Sequence, residues 1–121
     1  MAVQFRASEV NPDITVLSLS GRLDLEAVEA ATPVVRSALE QSAAGMVVDL
    51  RQVDFISSSG FRMLLVVYQE AERAGKALAL AHPQPAVYKI FKVAGLDTKF
   101  SFFDDQADAV QALSRSKGVD R

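Results

Sequence analysis

The sequence predicts an α/β domain in which a mixed β-sheet is covered by about four α-helices. Short apolar or β-branched runs alternate with longer segments of helical periodicity, single glycines and prolines punctuate them, and no segment repeats. The 121 residues fit one domain, 1–121, long enough to bury a proper core. That core is expected over about residues 3–114, with a polar tail over 115–121.

Val3-Gln4-Phe5-Arg6 alternates apolar and polar residues and reads as a short strand. Asn11-Pro12-Asp13 is a turn signal, and Ile14 to Ser20 alternates again, so the two segments predict a hairpin that ends at Gly21. From Leu25 to Gln41, Val28, Ala31, Val35, Ala38 and Leu39 recur at helical spacing. Pro33 interrupts that pattern, and proline in a helix interior costs about 3 kcal/mol. A helix from near Glu26 with local distortion is favoured over one capped by Thr32 and starting at Pro33.

Met46-Val47-Val48-Asp49-Leu50 predicts a strand buried on both faces, followed by a loop from Arg51 to Ser58. An apolar helix is expected from about Ser59 to Ala74, closed by Gly75. Lys76 to Ala81 reads as a further strand. Pro83 or Pro85 starts a helix to Val93, ended by Gly95. Lys99 to Phe103 is a last strand. Asp104 or Asp105 caps a helix through Ala107, Val110 and Leu113, and Ser114 onward is expected to fray.

Composition excludes several functions. A net charge of −2 without a local basic run argues against direct binding of nucleic acid. The absence of cysteine removes disulfides, thiolate zinc sites and cysteine nucleophiles. Met1 to Arg6 lacks the features of a signal peptide, and the longest apolar run, Met63 to Tyr68, is too short to span a bilayer. A cytoplasmic protein with no membrane insertion is expected.

The most informative segment is Val47 to Leu65, in which Ser57-Ser58-Ser59-Gly60 leads into the apolar helix. One reading is structural: a serine oxygen caps the helix, contributing about 1 kcal/mol, and the others are solvated. The other is functional. Free amides and a partial positive charge at a helix start accommodate a phosphate, whose added charge of about −1.5 to −2 would act as a switch inside an interface.

Catalysis has little support. A serine hydrolase needs a base and an orienting acid, whereas the chain has one histidine, His82, expected in an exposed turn, and no Gly-x-Ser-x-Gly. Neither phosphate-loop template is present. Asp104, Asp105 and Asp108 read as helix-start acids rather than metal ligands. No enzyme activity, metal or cofactor is expected. The helix after the serines carries Phe61, Leu64, Leu65 and Tyr68 on one face and Met63, Val66 and Val67 towards the other. The second face reads as core beneath a neighbouring helix or as an exposed patch for a partner, with the first favoured.

From about Ile14 to Leu113 the chain resembles the STAS family, the anti-sigma factor antagonists related to cytoplasmic domains of sulfate transporters. The resemblance rests on Gly21-Arg22-Leu23-Asp24, on Val48-Asp49-Leu50 leading to Phe55-Ile56-Ser57-Ser58-Ser59-Gly60, and on Val93-Ala94-Gly95-Leu96. It implies an antagonist that binds an anti-sigma factor, itself a GHKL-type serine kinase, until serine phosphorylation ends the complex and a PP2C-type phosphatase restores it. Matched residue by residue, the acceptor falls on Ser58, with Ser57 and Ser59 as alternatives, and Asp24 matches an acidic residue near the acceptor. Arg22, Asp24, Ser57, Ser58, Ser59, Gly60 and Arg62 are the candidate partner-binding residues. Ser57 stands where the commonest pattern has aspartate. A second possibility is a STAS subunit fixed in a larger assembly, such as a lipid transporter or signalling complex, with the serines acting only as caps.

Overall fold

A computed structural model describes residues 2–8 and 11–119. Strands β1 (Ala2–Ala7) and β2 (Ile14–Leu23) form the expected antiparallel hairpin. Helix α1 (Leu25–Gln41) leads to β3 (Gly45–Ile56), α2 (Ser58–Arg73) to β4 (Ala77–Ala81), α3 (Pro85–Val93) to β5 (Phe102–Phe103), and α4 (Gln106–Val119) follows. The strand order is β1-β2-β3-β4-β5, and every pair after the first is parallel. The mixed sheet and its four helices agree with the predicted class.

Parallel neighbours joined by right-handed crossovers place their helices on one face of a sheet. Leu17, Leu19, Met46, Val48, Leu50 and Leu80 accordingly share one core with buried residues of α1, α2 and α3. The alternate strand residues Ile14, Val16, Val47, Ala79 and Ala81 pack against Ala109, Val110 and Leu113 of α4 on the opposite face. Both faces are covered, which explains why β3 opens with six consecutive buried residues.

Pro33 lies within one continuous α1, as favoured above. Pro33 and Glu29 are both exposed, so the carbonyl deprived of its usual donor can meet water. Gly75 and Gly95 close α2 and α3 with φ of 73° and 76°. In each case the following residue bonds back into the last turn, Lys76 N to Ala71 O at 2.8 Å and Leu96 N to Phe91 O at 2.9 Å. On α2, burial first, and then the charge and hydrogen bond of Glu72, raise the pKa of the Tyr68 hydroxyl above its ordinary value.

Four boundaries correct the sequence reading, and two alternatives that it left open are decided. Gly21 does not end β2; with φ 92° it sits beside one of two register shifts, and the strand continues to Leu23. The expected loop from Arg51 is strand as far as Ile56, because Val53 and Ile56 are buried while Gln52 and Asp54 face solvent. Pro85, not Pro83, is the first residue of α3. The last strand shrinks to two residues: Lys99 and Phe100 turn back onto the Leu96 carbonyl, and Phe100 is buried. Asp105 starts α4 by accepting from Asp108 N at 2.8 Å, and the helix runs to Val119 through most of the expected tail. Asp120 and Arg121 of that tail lie outside the described residues.

Candidate functional site

The site begins where β2 and β3 end together. Arg22 pairs with Phe55 and Leu23 with Ile56, after which each strand turns into a helix. Asp24 caps α1, its Oδ1 accepting from Ala27 N at 3.0 Å. Ser57 caps α2 and donates both its backbone N–H (2.9 Å) and its hydroxyl (2.8 Å) to the Leu23 carbonyl. That oxygen therefore ties two helix N-termini side by side, each carrying a partial positive charge of about half a unit.

The three serines are not equivalent. Besides donating to Leu23, the Ser57 hydroxyl accepts from Gly60 N at 3.2 Å, which commits it on both sides. This dual role gives a physical reason for serine at a position where the commonest family pattern has aspartate. A carboxylate would keep the cap but could not donate to Leu23. Ser58 is the first residue of α2 and is exposed, and Ser59 is half-buried.

Gly60 is buried because the first turn of α2 presses against the strand ends. A Cβ there would lie 2.7 Å from Ile56 Cγ1 and 3.1 Å from the Leu23 carbonyl oxygen. Overpacking costs about 1–3 kcal/mol, of which a gain in helix propensity of about 1 kcal/mol would be recovered. Gly60→Ala is therefore expected to lose up to about 2 kcal/mol, read as a lower urea midpoint. A raised midpoint would show that the close approach imposes no constraint.

Between α1 and α2 runs a groove of about 400 Å³. Val28, Met63 and Val67 are buried beneath it, and Leu25 and Val66 stand exposed at its edges. Ser58, Ser59, Arg36 and Arg62 supply its polar rim. Arg36 is ion-paired to Glu70 across the two helices. Outside the groove, the Arg22 guanidinium stacks 4.1 Å from the centre of the Phe55 ring.

The seven candidate residues fall on this one edge of the domain, divided between structural and exposed roles. Asp24, Ser57 and Gly60 build the two helix starts, Arg22, Ser58 and Arg62 are exposed, and Ser59 is half-buried on the groove rim. Sequence reasoning missed Leu25 and Arg36, and it favoured burial for Val66, which is 41% exposed. A signal was present: Ser58, Arg62 and Val66 are spaced four apart and share one stripe of α2. His82 is an exposed turn residue with φ 56°. Among the described residues no group of three acidic, histidine or cysteine side chains could hold a metal, and no helix is long and apolar enough to cross a membrane.

Comparisons with known proteins agree with this geometry. The STAS domain pattern matches residues 6–109. The chain is 27% identical over 118 residues to an anti-sigma F factor antagonist of Lysinibacillus sphaericus, covering 97% of both proteins. It is similar to the structure of the anti-sigma factor antagonist SpoIIAA in its unphosphorylated form, with TM-score 0.75, 26% identity and 97% of each chain covered. The phosphorylated form of SpoIIAA, a Bacillus cell fate determinant, matches with TM-score 0.69 and 25% identity, over 93% of this chain and 99% of that one. In sequence and in fold, this chain belongs to the STAS domain family.

Proposed function

We propose that this chain works as a phosphorylation-controlled partner switch, with Ser58 as the acceptor. Unphosphorylated, it binds an anti-sigma factor that is also a GHKL-type serine kinase, and phosphorylation releases it. A PP2C-type phosphatase resets the switch. The chain is a cytoplasmic binding module and catalyses nothing itself. Its Ser58 oxygen takes the γ-phosphoryl group of ATP held by the kinase, the hydroxyl proton passes to a kinase base, and ADP leaves.

One observation carries this reading. Ser57 is bonded on both sides of its hydroxyl, while Ser58 stands exposed at the first turn of a 16-residue helix. A phosphate there meets free amides and the positive end of the helix dipole. The existence of SpoIIAA in both unphosphorylated and phosphorylated forms supports the same chemistry in this relative.

The test is to incubate the protein with GHKL-type kinases of its own organism and ATP, then map the product by mass spectrometry. One phosphate on Ser58, absent from Ser58→Ala, is expected. Phosphate on Ser57 or Ser59 alone would contradict the assignment to Ser58, and no phosphate on any of the three would favour a subunit that does not switch.

A further inference from the structure

We infer that the α1–α2 groove is the docking site for an aliphatic side chain of the partner kinase, with a neighbouring carboxylate of that kinase received by Arg62. The inference rests on the switch reading and adds the chemistry of the contact. Leu25 and Val66, 60% and 41% exposed, are two of three large hydrophobic residues left in solvent among the described residues. Both border the groove, while the third, Val93, is the last residue of α3 and does not line it. Leaving two aliphatic side chains over an already apolar floor gives a partner apolar area to bury.

Charge narrows the choice of partner. The chain carries 15 acidic and 13 basic residues, yet no carboxylate lines the groove. Arg36 is matched by Glu70, whereas Arg62 is exposed and makes no ion pair among the described residues. An apolar slot with one uncompensated cation at its mouth complements an aliphatic residue flanked by an acid.

The position of Arg62 also links docking to the switch. Ser58, Arg62 and Val66 occupy successive turns of one stripe, so a segment lying along α2 covers all three. A phosphate on Ser58 sits one turn from Arg62 and competes with the partner's carboxylate for the same guanidinium. Two anions then face one cation. Phosphorylation removes the receptor for the acid as well as adding repulsion.

The test uses the full chain and the kinase that phosphorylates Ser58. Val66→Glu, at an exposed position whose fold is checked by its melting temperature, is expected to weaken binding on the order of 30-fold. Arg62→Gln should weaken it about tenfold and flatten its dependence on salt. Val93→Glu, outside the groove, should bind like wild type. In the unmutated protein, the ¹³C-methyl signals of Leu25 and Val66 should shift as kinase is added. A kinase that phosphorylates Ser58 yet binds Val66→Glu and Arg62→Gln within about twofold of wild type would overturn the groove and leave the switch standing. Methyl shifts that follow the concentration of this chain alone would place a second copy there, also overturning it. If no kinase modifies Ser58, the switch reading falls, and the partner named here falls with it.

Discussion

Ser58→Asp is expected to bind the kinase at least tenfold more weakly than wild type, while Ser58→Ala binds at full strength and is no longer released by ATP. Tenfold corresponds to only about 1.4 kcal/mol, and an unpaired charge in a desolvated contact can exceed that. Ser58 is exposed and Ser57 supplies the cap, so neither change removes a bond that holds α2 in place. Titration calorimetry of both variants with nucleotide-loaded kinase checks the result. Wild-type affinity in Ser58→Asp, together with ATP-induced release of Ser58→Ala, would place the switch elsewhere.

The largest loss of stability is expected from Phe91→Ala. Phe91 is fully buried and meets three other rings edge-on, Phe61 at 4.7 Å, Phe102 at 5.1 Å and Phe100 at 5.9 Å between centroids. Deleting such a ring costs about 3–5 kcal/mol. In a chain of this length that lowers the melting temperature on the order of 10–20 °C. The effect also reaches the site, because Phe61 precedes Arg62 on α2. A thermal scan showing a fall of less than about 3 °C would mean that α3 is not held by this cluster, and Phe91→Leu should lie between alanine and wild type.

Most helices were legible because their signals are local. The apolar spacing of Val28, Ala31, Val35 and Ala38 survived Pro33, and the glycines at 75 and 95 mark helix ends through their left-handed backbone. The second half of β3 was not legible. Two register shifts against β2 break the period-two alternation, so Arg51-Gln52-Val53-Asp54 looks like a polar loop although it is paired strand. β5 was overestimated because Phe100 is apolar for a different reason, being buried in the core from a turn.

At the site, the serine run and Gly60 were visible, but their division of labour was not. That Ser57 is the cap depends on a bond to Leu23, 34 residues earlier in the chain. The groove was hidden for a similar reason. Leu25 and Val66 belong to different helices, and only the packing of α1 beside α2 brings them to one groove.

Control of partner binding by a phosphate on Ser58 is read from the dissociation constant of the kinase for protein fully phosphorylated on Ser58, beside the unphosphorylated protein at the same salt concentration. At least a tenfold weaker constant is expected for the phosphorylated form, with the original affinity restored by a PP2C-type phosphatase. Equal affinities for the two forms would contradict it.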